Sequence, residues 1–196
     1  MLTTGNPRWI IPNISGLPLL RVSVIGSGGM NAAAEKIIAD LRLAPLPHEG
    51  GFFRRTWTSP QTMPGGRAAG SAILFLVAPG EFSALHRLAT DEVWHFNAGD
   101  PVEHLQLDPS DGSALSARLG PDLAAGHQPQ LAVRGGIWQG ARLAPVPSGQ
   151  AGTAGWALLG CIMSPAWDER EFTLGRREEL RRIFPAHADL IAAFIR

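Results

Sequence analysis

Beyond Gly50 the hydrophobic positions fall in short alternating or continuous runs, each closed by Gly, Pro, Asp or Ser. Runs of this length with period two, or apolar throughout, are the signature of strands with one or both faces buried. They predict strands over Phe52–Ser59, Ser71–Val77, Ser83–Leu88, Glu92–Ala98, Val102–Leu107, Leu115–Leu119, Gln130–Arg134, Trp138–Leu143 and Trp156–Met163. The clusters Pro60–Gly70, Pro121–Gly126 and Pro145–Gly155 read as loops. Asp111-Gly112 reads as a tight hairpin in which both central residues take positive φ. Before and after this block the period lengthens to that of a helix. Asn31 can cap a short helix with Ile37, Ile38 and Leu41 on one stripe. Arg176–Phe184 and Pro185–Ile195 read as two more, Pro185 fitting the first turn where its missing N–H costs nothing. In Arg176–Arg182, Glu178 and Glu179 interleave with arginines at helical spacing, as on an exposed, salt-bridged face. Many short strands at this spacing predict a mainly β domain, a sandwich or barrel, over 30–196.

Residues 1–29 differ: they are irregular, punctuated by Gly and Pro, and end in Gly26-Ser27-Gly28-Gly29. We read them as an extension, either an arm pairing with a sheet edge or a disordered lead ahead of Met30. The apolar stretch Trp9–Ile25 is broken by Pro12, Gly16 and Pro18 and carries Arg21, which argues against a signal peptide.

Composition narrows the function. In 196 residues, 17 basic and 17 acidic side chains cancel, which removes the electrostatic reason for a nucleic-acid or anionic-membrane partner. At 45% hydrophobic the chain can bury a sizeable core. Cys161 is the single cysteine, so no intramolecular disulfide forms, no Cys-based zinc site is possible, and a reducing, cytoplasmic setting is expected. No run of apolar residues is long enough to span a bilayer. Tyr is absent.

The chemistry concentrates in Gly80-Glu81-Phe82-Ser83-Ala84-Leu85-His86-Arg87-Leu88-Ala89-Thr90-Asp91-Glu92 and Gly99. A Gly, five residues, a His, a Glu six further on and a Gly seven beyond resemble the first cupin motif, with Leu88 where a second His is usual. Arg134-Gly135-Gly136-Ile137-Trp138-Gln139 is similar to the second motif, with Arg134 for Pro and Gln139 for His. The wider wording resembles the cupin-5 branch of the cupin superfamily. It comprises Gly50–Thr56, Asp91–Phe96, Ala98–Pro101, Leu119–Asp122, Trp138–Ala141 and Gly160-Cys161, and the likeness runs from Asn31 to the C-terminus. That resemblance implies a double-stranded β-helix jelly-roll barrel, commonly a homodimer, with a small-molecule pocket in its mouth.

Alternation places Glu92, Trp94 and Phe96 on one strand face. A carboxylate aimed inward among aromatics needs a donor, a cation or a ligand, and His86 is the obvious donor. Alone, His86 beside Leu85 and Leu88 reads equally as a hydrogen-bonded core histidine; its pairing with Glu92 favours a pocket. His95 faces the other way, toward a structural or subunit contact. Gln139, Trp94, Phe96, Trp138, Phe53 and Arg54 are the expected pocket residues, the tryptophans serving equally well as core. Arg54, Arg55 and Arg134 offer forks for a carboxylate or phosphate, or are solvated loop charges.

Two reactions follow. Without a cofactor, Glu92 orients His86 as an acid–base pair for an isomerase- or lyase-like proton transfer beside a carbonyl. The epimerase cupins add a Tyr acid, so here water or His95 has to replace it. Alternatively His86, Glu92 and Gln139 hold a divalent metal loosely for an oxygenase, although Leu88 removes one ligand and Gln139 weakens another. A barrel that only binds its ligand is the third reading.

Overall fold

The computed structural model describes residues 30–145 and 153–196, so the 1–29 extension and part of the Pro145–Gly155 loop lie outside it. The chain runs α1 (Ala32–Leu41), β1 (Ala44–Pro45), β2 (Phe52–Thr58), β3 (Ser71–Val77), β4 (Ser83–Arg87), β5 (Glu92–Gly99), β6 (Val102–Leu107), β7 (Ala114–Leu119), β8 (Gln130–Val133), β9 (Trp138–Leu143), β10 (Ala157–Met163), β11 (Thr173–Leu174), α2 (Arg177–Ile183) and α3 (Ala188–Ala192). All nine expected strands form. Two short ones, β1 and β11, add edges that a two-residue run could not announce. The second C-terminal helix begins with a 3-10 turn, Pro185–His187, before α3.

Two antiparallel sheets face each other, ordered β1-β2-β3-β10-β5-β8 and β11-β4-β9-β6-β7. Their strands interleave in sequence, the arrangement of a double-stranded β-helix, and the sheets stay open at their edges. Both outer faces are covered in part, which explains the continuous apolar runs. In β3, Ile73, Phe75 and Val77 point between the sheets. The alternate Leu74 and Leu76 pack outward with Ile37, Ile38 and Leu41 of α1. On the other sheet, Leu85, Leu105, Leu107 and Trp138 point outward onto Leu180, Phe184, Ile191 and Phe194 of the C-terminal helices. Asn31 caps α1 as its sequence suggests, accepting from Ala34 N–H at 2.9 Å.

Gly99 closes β5 at φ +96°, where an added Cβ would meet the Trp156 carbonyl; the motif requires glycine there for space as well as for backbone freedom. The β6–β7 hairpin corrects one expectation. Gly112 has positive φ but Asp111 does not. The connection is longer than two residues and is built from side-chain turns: Asp108 accepts from Ser110 N–H and Asp111 from Ser113 N–H. No helix among the described residues is long and apolar enough to cross a membrane.

Candidate functional site

Between the sheets lies a cavity of about 480 Å³. Its walls come from β2, β3, β4, β5 and β10, with the Leu46–Glu49 turn and Trp167, Glu169 and Phe172 completing the lining. His86 and Glu92 both line it, being 2% and 7% exposed.

Glu92 is held by a short chain of amide chemistry. Trp94 Nε1–H donates to Gln139 Oε1 at 2.9 Å, and Gln139 Nε2–H donates to Glu92 Oε2 at 2.7 Å. An indole nitrogen can only donate, so it fixes which way the Gln139 amide points. The donor that the sequence assigned to His86 is therefore Gln139. Burial pushes the Glu92 carboxyl up from 4.5 to about 7. Nearby Glu49 adds to the rise, while His86 and the Gln139 bond oppose it.

His86 turns elsewhere. Its Nδ1 lies 2.9 Å from the Ala84 carbonyl, which can only accept, so the proton sits on Nδ1. The bond from Nδ1 is the one hydrogen bond of this ring among the described residues, which leaves Nε2 without a partner there. The ring stacks on Phe172 at 5.5 Å. Glu49 approaches Nδ1 at 3.8 Å. Glu49 is itself stitched to β4: its carbonyl accepts from Ala84 N–H, and its carboxylate from Ser83 Oγ–H at 2.7 Å. Nothing in its spacing announced Glu49, although Gly50 and Gly51, both at positive φ, mark the tight turn that delivers it.

The remaining expected residues separate. Phe53 and Trp94 line the cavity. Gln139 stands behind Glu92, outside the lining. Phe96 packs on the inner core and misses the cavity, farther along β5 and just ahead of the β-bulge where β5 pairs with β10. Trp138 points to the opposite face, into the C-terminal helices. Arg54 alternates away from the interior, whereas Arg55 reaches the cavity wall with its guanidinium over the Trp167 ring at 5.6 Å. Arg134 is exposed and paired with Asp108. His95 faces outward beside Gln130, so it cannot stand in for a missing Tyr acid.

Two buried groups were not foreseen as such. His104, wholly buried on β6, packs edge-on to Trp94 with neither ring nitrogen in a well-formed hydrogen bond; burial drives it down from 6.5 to about 3, helped by His86 and opposed by the nearby Gln139 amide. Cys161 also lines the cavity, and burial raises its thiol well above its ordinary value, with Glu92 and Glu49 adding to the rise. It stays protonated and is a poor nucleophile.

A small β-helical jelly roll with a cavity between its sheets, lined by His86, Leu88 and Glu92 of the first motif with Gln139 of the second standing behind Glu92, defines a cupin. The chain belongs to the Cupin superfamily family Cupin_5 (DUF985), whose model matches residues 35–175. It is 34% identical to a Shewanella oneidensis protein solved by X-ray crystallography, at a TM-score of 0.74, covering 83% of this chain and 97% of that one. A hypothetical protein from Leishmania major is 32% identical, also at 0.74, covering 83% and 98%. A cupin-2 domain from Rhodospirillum rubrum shares the fold at 13% identity and a TM-score of 0.51, covering 78% and 88%. A search of the curated proteins finds no match.

Cupin barrels raise the question of a metal, and the donors do not fit one as arranged. Gln139 spends its oxygen on Trp94 and its nitrogen on Glu92. Leu88 offers only hydrocarbon to the cavity. Among the described residues no group of three or more His, Cys, Asp or Glu is placed to hold an ion.

Proposed function

We propose that this cupin binds a small molecule in the cavity and moves a proton on it without a metal, in an isomerase- or lyase-like reaction. The observation that carries this reading is a pair of titratable groups lining one largely apolar cavity from its two facing sheets, His86 on β4 and Glu92 on β5, with Glu92 poised near 7. A group titrating there can both give and take a proton near neutral pH. The fixed Nδ1–H leaves His86 Nε2 as an acceptor facing the ligand.

The step balances without a co-reactant. His86 Nε2 takes the proton from a carbon beside a carbonyl, and protonated Glu92 gives its proton to the carbonyl oxygen. Protonated His86 then gives its proton to carbon or to a departing leaving group, while ionised Glu92 takes back an enol hydroxyl proton, which restores both groups. Glu92 thereby fills the role of an acid in a chain with no Tyr. The cavity walls keep bulk water from competing.

The test is deuterium wash-in. Small ketones and aldehydes that raise the melting temperature are incubated with the protein in D2O and followed by NMR. Exchange at the carbon beside the carbonyl, lost in His86→Gln, is the expected result. Binding with no exchange in the wild type overturns the catalytic reading and leaves a ligand-binding barrel.

A further inference from the structure

Around His86 the cavity presents three acceptors, while the groups that can donate, Arg55, Trp167 and His48, are also in its lining. Glu92 uses Oε2 for Gln139 and feels the Trp94 N–H as well; once ionised, above about pH 7, it still has acceptor capacity to spare. Glu49 uses Oε1 for Ser83, and Oε2 is without a donor among the described residues. His86 Nε2, its proton being on Nδ1, is a third acceptor. Carboxylates with unmet valence on a mostly apolar wall are costly unless something brings hydrogen to them.

The charges lean the same way. Three carboxyl groups, Glu49, Glu92 and Glu169, line the cavity with one guanidinium, that of Arg55, which already lies over the Trp167 ring, and, besides His86, the His48 imidazole next to Glu49. The other walls include the aromatic rings of Phe53, Trp167 and Phe172, whose faces attract cations. An anion would have more carboxyl groups than guanidinium groups around it. A hydroxyl brings one hydrogen. An ammonium brings up to three, together with the charge the site lacks.

We infer that the ligand of this cavity is an organic amine, held as its cation by Glu49 against the aromatic walls, with His86 and Glu92 placed on the carbon framework next to it. The inference rests on the reading of the cavity as a small-molecule site and adds the chemical class of the molecule. It also replaces the anion-binding role that the arginines suggested. Glu49 is then a binding residue, and its attachment to β4 through Ser83 and Ala84 fixes it relative to His86.

Three probes of one shape separate the possibilities: cyclohexylamine, cyclohexanol and cyclohexanecarboxylate, titrated by NMR at about pH 8, where the amine is still charged. The amine is expected to bind at least tenfold more tightly than the alcohol, and the carboxylate more weakly than either. Glu49→Gln, which keeps an acceptor for Ser83, is expected to bring the amine down to the level of the alcohol without changing the alcohol. A carboxylate that binds as well as the amine overturns the inference, as does an amine affinity unchanged in Glu49→Gln, or no binding by any probe. If Glu49→Gln does not fold, the wild-type series decides alone. Exchange on a neutral or anionic carbonyl compound, with no preference for amines, removes this inference while the acid–base reading stands. Amine binding without exchange on any carbonyl does the reverse.

Discussion

Gln139 donates to Glu92 at 2.7 Å because Trp94, on the far side of the amide, leaves it no other orientation. A motif position at which a metal-binding cupin would carry histidine here serves as a spacer between an indole and a carboxyl. That relationship explains how a carboxyl can be buried in this barrel without a basic residue bonded to it.

Gln139→Leu tests it. The substitution strands the indole N–H and one carboxyl oxygen, each at a cost of about 1–3 kcal/mol. The melting temperature falls, and the Glu92 carboxyl, having lost a bond that favours its charged form, titrates higher than about 7. Carbon-13 NMR of labelled glutamate reads the titration directly. An unchanged Glu92 titration would show that the amide does not govern it.

Glu92→Gln probes the same carboxyl through stability. The unfolded chain ionises this group near 4.5 and the folded chain near 7, so between those values the folded state holds the extra proton. Stability from this group is full below 4.5, declines as pH rises, and is gone above about 7. The span corresponds to about 3 kcal/mol. Urea unfolding at a series of pH values is expected to show Glu92→Gln gaining on the wild type from pH 4 to pH 8. Parallel profiles would mean the carboxyl is not buried as described.

The barrel was legible because strand alternation and turn residues are local. Leu74 and Leu76 against Phe75 and Val77 reveal a strand covered on both faces, and the motif glycines mark its turns. His86 and Glu92 were legible by their spacing. The donor to Glu92 was not, since Gln139 reaches it only when β9 of one sheet stands opposite β5 of the other. Glu49 and Phe172 come from turns that carry no periodicity. Trp138 was misplaced because an aromatic beside a motif residue alternates to the outer face, where two helices wait for it. The unmatched Asp111 φ has the same origin: Asx turns compete with the tight turn, and composition alone does not separate them.

Trp138→Ala checks that separation of faces. Trp138 is 1% exposed and packs among Leu85, Leu105, Leu107 and the C-terminal helices. Truncation costs about 3–5 kcal/mol by loss of burial and cavity formation. Ligand affinity in the molecules that remain folded at low temperature is expected to stay within twofold of wild type. A tenfold loss would place the ring in the binding site after all.

His104→Leu gives the opposite sign. The imidazole is wholly buried, with neither nitrogen in a well-formed hydrogen bond, beside the edge of Trp94 and the Gln139 amide. Leucine is close in volume and has no polar atom to desolvate, so the melting temperature at pH 7 is expected to rise, by an amount equivalent to about 1 kcal/mol. The pH dependence separates this from mere repacking. The unfolded chain takes up a proton on His104 near 6.5, whereas the folded chain resists until about 3. Stability from this group is therefore full above 6.5 and drains away as pH falls toward 3. In His104→Leu that loss disappears, and the advantage over the wild type widens steadily from pH 7 to pH 4. Calorimetric scans across that range measure it. A lower melting temperature at every pH would show instead that the two nitrogens are satisfied by ordered water whose bonds leucine cannot replace.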